Sequence, residues 1–208
     1  MDRLIADISM SLDGYVTGPD VGPLHPLGVG GEQLHQWLYD LAGWRRAHGL
    51  TGGDEGPESD SLEEAFQQAG AYVMGHGMYL SGSGPWGDTP PFRKPVFVLT
   101  HTAKEPDVRS GTTFTFVTDG LDGALARARE AAENGDVALA GGAQIIQQAV
   151  VAGVLDELRL HIVPVLLGSG TRLFSRIGHE HIAWQTSRVN GASGVVHLTL
   201  HPPKRDSA

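Results

Sequence analysis

Short apolar runs alternate with helix-patterned segments through the first three quarters of the chain, and this alternation limits the fold more than any other feature. Strand-like patterning covers Leu4 to Ser9, Tyr15 to Thr17, Ala71 to Met74, Pro95 to Thr100, Thr113 to Thr118, Val137 to Ala140 and Glu157 to Val163. Between these runs lie helical patterns. Glu32 to Trp44 carries Leu34, Trp37, Leu38, Leu41 and Trp44 on one face. Ser61 is a suitable N-cap for a second helix, with Glu63 and Glu64 in its first turn. Leu121 to Glu133 and Gln144 to Val151 complete the set. Val96-Phe97-Val98-Leu99 is continuously apolar, as in a strand covered on both faces. Strands separated by helices return parallel, with the helices packed on the sheet. The end of the chain differs. Ile182 to Val189 and Val195 to His201 both alternate, and Asn190 to Gly194 joins them as a hairpin. The expectation is an α/β fold: one three-layer domain, structured over about residues 4–201, with a mostly parallel sheet of about eight strands and a C-terminal antiparallel hairpin.

Composition narrows the function. With 208 residues and 40% hydrophobic content, the chain can bury a sizeable core, roughly 70% of its unfolded surface. Its net charge of −9 comes without a basic stripe, which argues against a nucleic-acid partner. The absence of cysteine removes disulfides, thiolate metal sites and a thiol nucleophile. The ten histidines show no HExxH spacing, so no metal is expected. No apolar run is long enough to span a membrane, and the opening Leu4-Ile5-Ala6-Asp7 lacks the apolar stretch of a signal peptide. The expected compartment is the cytoplasm, with no membrane partner.

The 29 glycines gather where strands end. Val137 to Ala140 runs into Gly141-Gly142-Ala143-Gln144-Ile145, a strand feeding two glycines that open a helix. Such a turn lets a phosphate group approach the backbone at the positive end of the helix. A tight strand-to-helix turn explains the pattern equally well. Tyr72-Val73-Met74 runs into Gly75-His76-Gly77-Met78-Tyr79 in the same way, and Leu99 is followed by Thr100 and His101. Ser9-Met10-Ser11-Leu12-Asp13-Gly14 ends the first strand with a carboxylate, in a pairing more often found as turn chemistry.

Several of these stretches resemble the dihydrofolate-reductase-like family, in particular the reductase domain of bacterial riboflavin biosynthesis. They are Ile8 to Tyr15, Tyr72 to Gly75, Pro95 to Thr100, Ala140 to Ala143 and, above all, Leu155 to Phe174 with its Pro164-Val165-Leu166-Leu167-Gly168-Ser169-Gly170 core. The resemblance implies a mostly parallel sheet and NADPH as hydride donor. It further implies that Gly141, Gly142, Ala143, Gln144 and Ile145 hold the pyrophosphate side. Gly75, His76 and Met78 would lie across the cofactor, with Thr100 and His101 toward the adenosine phosphate. Family members commonly carry two cationic residues where this chain has His76 and Gly77, and an acidic residue where it has Leu139.

The implied activity is NADPH-dependent reduction of a C=N or C=O carbon in a small heterocyclic or sugar-derived substrate. The alternative is a non-catalytic cofactor- or ligand-binding dimer. Asp13 is the candidate catalytic anchor, and Trp37, Tyr79 and Trp86 are candidates for the substrate side. Trp37, on an apolar helical stripe, is the one most easily explained as core instead. A homodimer is expected from the alternating Leu158, Leu160 and Ile162, unless a helix over 144–151 covers them as ordinary core.

Overall fold

A computed structural model describes residues 3–22, 24–178 and 181–202. The strands are β1 (Leu4–Ser11), β2 (Tyr15–Thr17), β3 (Ala69–Gly75), β4 (Val96–Leu99), β5 (Asp107–Arg109), β6 (Thr112–Val117), β7 (Asp136–Gly141), β8 (Glu157–Val163), β9 (Thr171–Arg172), β10 (Gln185–Ala192) and β11 (Val195–His201). The helices are α1 (Gln36–Tyr39), α2 (Ala42–Ala47), α3 (Pro57–Gln68), α4 (His76–Gly82), α5 (Gly120–Ala132) and α6 (Ala143–Val151), with a 3₁₀ turn over Gly31–Leu34 before α1.

Nine strands form one sheet in the order β10-β11-β8-β1-β7-β3-β4-β6-β5. The strands from β8 to β6 pair in parallel, while β11 against β8, β10 against β11 and β5 against β6 are antiparallel. This is the expected mixed α/β domain with two additions. The three-residue β5 and the two-residue β9 are too short to show a period in the sequence. The C-terminal hairpin turns at Ser193 and Gly194, both with positive φ (50° and 74°), the geometry a two-residue hairpin loop needs.

Two sets of helices cover the sheet. On one face α5 and α6 press Leu121, Leu125, Ile145, Ile146 and Val150 onto Leu4, Ala6, Val73, Leu139, Leu158 and Leu160, the main core. On the other, Met78, Tyr79, Trp86 and Phe92 pack over Tyr72, Met74, Val96, Val98 and Phe114. Leu158 and Leu160 are therefore ordinary core beneath α6, at 1% and 4% exposure. The alternation along β8 reflects one face on the core and one facing a polar cavity.

Two helix boundaries differ from the sequence expectation. The pattern over Glu32 to Trp44 breaks into the 3₁₀ turn, α1 and α2, because Leu41 turns extended (φ −73°, ψ 131°) and bridges Asp54. The Asp54 N–H donates to Asp40 O, and the Ala42 N–H to Asp54 O. The second helix begins at Pro57 rather than Ser61. Proline at the first helical position has φ preset and no amide to leave unpaired, a stronger start than a serine one turn later.

Candidate active site

The parallel strands β7, β3 and β4 end side by side, and the glycines of the sequence motifs line that edge. Met74 pairs with Gly141 and Gly75 with Leu99. Gly141 and Gly142 have φ of 135° and 93°, which a residue with a Cβ rarely adopts. A Cβ on Gly141 would lie 3.1 Å from Met78 Sδ, so the turn and Met78 pack directly. A Cβ on Gly142 would meet only the Gly75 N, 3.9 Å away, and one on Gly75 or Gly77 would meet nothing within 4 Å. The result is an open slot with backbone walls at the carboxyl ends of three parallel strands, where ligands of open α/β sheets bind.

Gly142 is the N-cap of α6, and its carbonyl accepts the Ile145 and Ile146 N–H groups. The amides of Ala143 and Gln144 are those the helix itself cannot use. The Ala143 and Ile145 side chains are buried in the core at 2% exposure each, so these residues can face a ligand only through backbone; Gln144 is exposed. Across the slot, His76 opens α4, and its Nε2 is buried without a hydrogen-bond partner. Thr100 and His101 follow β4 at the same edge. His101 is exposed, and the Thr100 hydroxyl accepts the Thr102 N–H.

A nicotinamide dinucleotide, which the resemblance implies, fits what these residues offer. Glycine walls leave room for a pyrophosphate, amides at a helix N-terminus suit its charge, and the Nε2 of His76 needs a partner.

The other candidates lie elsewhere. The Asp13 carboxylate accepts hydrogen bonds from the Ser11 hydroxyl and the Leu167 and Gly168 N–H groups, at 2.6, 3.1 and 2.7 Å. The Ser11 bond first, then those amides, hold its carboxyl below the usual range despite opposing desolvation. Asp13 thus fastens the loop after β1 to the loop after β8 and, held ionised, is a poor proton donor. Trp86, half-buried, packs edge-on to Phe92 and parallel to Phe114 at the border of the core. Tyr79 is likewise tied down. Its ring meets Phe114 and Phe116, and its hydroxyl donates to Asp107 at 2.9 Å.

Trp37 is not simply core. Its indole N–H donates to Ser9 Oγ and Leu34 O, both at 3.1 Å, and its ring lies 4.7 and 5.0 Å from the His161 and His197 rings. It marks a cluster outside the sequence motifs, built on histidines that lack metal-binding spacing. Asp7, His161 and His197 project from β1, β8 and β11, and Glu58 reaches them from α3. They line a cavity of about 680 Å³ between α3 and the sheet. A sequence signal existed: Glu157, Arg159 and His161 alternate along β8, and His197, Thr199 and His201 along β11.

The comparisons with known proteins agree with this architecture. The sequence profile of the RibD C-terminal domain matches residues 2–198. The uncharacterized protein YwjB of Bacillus subtilis (strain 168) is 25% identical over 131 residues, covering 61% of this chain and 70% of YwjB. A crystal structure from Shewanella sp. PV-4, of a protein assigned to riboflavin biosynthesis, superposes with a TM-score of 0.70 at 20% identity, over 97% of this chain and 99% of that one. The Thermotoga maritima diaminohydroxyphosphoribosylaminopyrimidine deaminase/5-amino-6-(5-phosphoribosylamino)uracil reductase gives 0.64 at 12% identity, over 97% of this chain and 57% of its own. At such identities the structures establish the fold, a single α/β domain with a mostly parallel sheet, and the profile establishes the kinship: this chain belongs to the RibD C-terminal domain family.

Proposed function

We propose that the protein is a reductase that takes hydride from NADPH and delivers it to a C=N or C=O carbon of a small heterocyclic or sugar-derived substrate. The observation that carries this reading is the open glycine slot at the ends of β7 and β3, seated on the N-terminus of α6. Gly141, Gly142 and the Ala143 and Gln144 amides would hold the pyrophosphate. His76 and Met78 would face it across the slot, with Thr100 and His101 toward the adenosine end. When bound, the dihydronicotinamide supplies the hydride. The chain's own task is to hold donor and acceptor carbons about 3–3.5 Å apart and to exclude water. Asp13 contributes by fixing the loop between β1 and β2 against residues 167–168.

One observation favours the binding-only alternative. Leu139, where riboflavin reductases commonly carry an acidic residue, is 1% exposed and packed in the core. The two readings separate by experiment. NADPH titrated into the protein and followed by fluorescence should saturate at one equivalent per chain, and NADPH oxidation should then be screened against pyrimidine and pterin substrates. Absence of binding would overturn both readings; binding without turnover on any substrate would leave the binding protein.

A further inference from the structure

Asp7, His161, His197 and Glu58 form a line of close contacts that fixes how many protons they carry. His161 Nε2 lies 2.7 Å from Asp7 Oδ1, His161 Nδ1 lies 2.7 Å from His197 Nδ1, and His197 Nε2 lies 2.7 Å from Glu58 Oε1 and 3.4 Å from Ala192 O. A carbonyl oxygen only accepts, so His197 Nε2 carries a proton. With Asp7 ionised, His161 Nε2 carries one as well. The two Nδ1 atoms face each other, and one proton must lie between them, because two lone pairs at 2.7 Å repel. Three protons on two imidazoles means that one of the rings is an imidazolium. The same spacing argues against a shared metal, since two nitrogens on one tetrahedral zinc stand roughly 3.3 Å apart at Zn–N distances near 2.05 Å.

We infer that these four residues form one proton-binding site, holding one proton more than two neutral histidines would, and that this proton fastens α3 to the sheet. The extra proton lies on the His161–His197 pair, beside the Asp7 carboxylate. Burial first, and then its neighbour His161, push the His197 imidazole down. Around Asp7, desolvation pushes upward but is outweighed by His161, so its carboxyl stays below the usual range. The Trp37 ring beside His161 suits a cation. The other groups facing the line are Arg159, 4.0 Å from Asp7, Tyr72 beside Asp7, His35 near His161, and Glu157 along β8. Arg159 is already paired with Glu157, and the Tyr72 phenol is pushed up by burial and by Asp7, beyond reach of this titration.

The consequence falls on α3. Ser59 is its one buried residue among those described, and the helix roofs the 680 Å³ cavity instead of pressing an apolar stripe onto the sheet. Glu58 is its link to the hairpin, held by the Ser193 hydroxyl at 2.6 Å with His197 2.7 Å away, while Ser59 Oγ accepts the buried Gly43 N–H and Glu63 pairs with Arg46 to tie the helix to α2. Loss of the shared proton turns the His161–His197 contact repulsive and weakens the link from the sheet to Glu58. Because the short contact between the two Nδ1 atoms needs that third proton, docking of α3 weakens once rising pH removes it.

The inference is independent of the reductase reading and is tested on the full chain without ligand. Nitrogen-15 spectra of the histidine rings at pH 7.5 should show one ring of this pair protonated on both nitrogens. Hydrogen exchange over residues 57–68, corrected for the intrinsic rate, should lose roughly tenfold protection for each proton-binding unit titrated between pH 6.5 and 9, while β3 stays protected. Glu58→Gln should lower protection of α3 and flatten its pH dependence; His161→Asn should abolish the doubly protonated signal. Two neutral rings at pH 7.5, a pH-independent α3 in the wild type, or stoichiometric zinc binding lost in His161→Asn would each overturn the assignment.

Discussion

The two polar regions of this molecule are built in opposite ways. The slot at the ends of β7, β3 and β4 is made of backbone: glycines with no Cβ, amides at the start of α6, and one unpartnered imidazole nitrogen. The cluster beneath α3 is made of side chains from four elements, positions 7, 58, 161 and 197, in close contact one with the next, although Glu58 Oε1 accepts no hydrogen bond. A backbone slot imposes little chemistry of its own and suits a ligand that brings its chemistry with it. A closed line of titratable groups imposes a charge and a proton count, and suits a role in holding structure together. The difference also predicts how each region answers substitution: the slot should be sensitive to added atoms, the cluster to lost ones.

The sharpest way to break that comparison is to add a charge to the slot. Gly75 is the N-cap of α4, with φ −78° and ψ 152°, and open space where a Cβ would stand. Aspartate is favoured at such a position, so Gly75→Asp should leave the melting temperature unchanged or raise it slightly. The added carboxylate would sit beside the proposed pyrophosphate, and NADPH affinity measured by calorimetry should fall by about 100-fold or more, roughly 2.7 kcal/mol. This variant is cleaner than a change at Gly142, whose φ of 93° would strain any substitute. His161→Asn should change NADPH affinity less than about twofold, because its cluster lies across β1 from the slot, two strands or roughly 10 Å from β7. Equal losses in both variants would mean that the two regions form one site.

The sequence showed the first region and concealed the second for a physical reason. Gly141-Gly142 and Gly75 are each followed by a helix and preceded by a strand, so the slot's parts are local and its periods readable within ten residues. The strand positions were legible too, since β8 and β7 fall at the expected runs with nearly the expected bounds. The contact between Asp7 and His161 depends on β1 pairing with β8, and that of His161 with His197 on β11 pairing with β8. No local pattern encodes those registers. The aromatic packing was hidden for a related reason: Tyr79 on α4 and Trp86 in the loop after it follow the Gly75 motif closely in sequence, and both rings meet Phe114 on β6.

A smaller effect tests the seam between the regions. Ser11, the last residue of β1, is fully buried; its hydroxyl donates to Asp13 and accepts the Tyr15 N–H at 2.9 Å. Ser11→Ala removes both bonds and leaves a buried amide unpaired, which should cost about 1–3 kcal/mol by urea denaturation. The loss should be felt in the loops joined through Asp13, seen as faster exchange at Leu167 and Gly168. If stability falls but those amides keep their protection, Asp13 is held by the backbone alone and the serine serves only packing.

The smallest effect concerns the aromatic side of the slot, where the sequence reading expected substrate and where Tyr79 and Trp86 pack half-buried against Phe114. Tyr79→Phe deletes the hydroxyl that donates to Asp107 but keeps the ring against Phe114 and Phe116. Asp107 retains Arg109, whose guanidinium lies 2.7 Å away, so no buried charge is left alone. The expected cost is therefore that of one ordinary hydrogen bond, about 0.5–1.5 kcal/mol, at the low end because the carboxylate keeps its stronger partner. The same substitution should leave NADPH affinity and any turnover within about twofold, since the hydroxyl is engaged by Asp107 on β5. A substrate-facing phenol would behave in the reverse manner, with stability untouched and KM or kcat moved. Thermal melts and kinetics on this one variant thus decide whether the aromatic wall beyond Met78 is part of the site or only supports it.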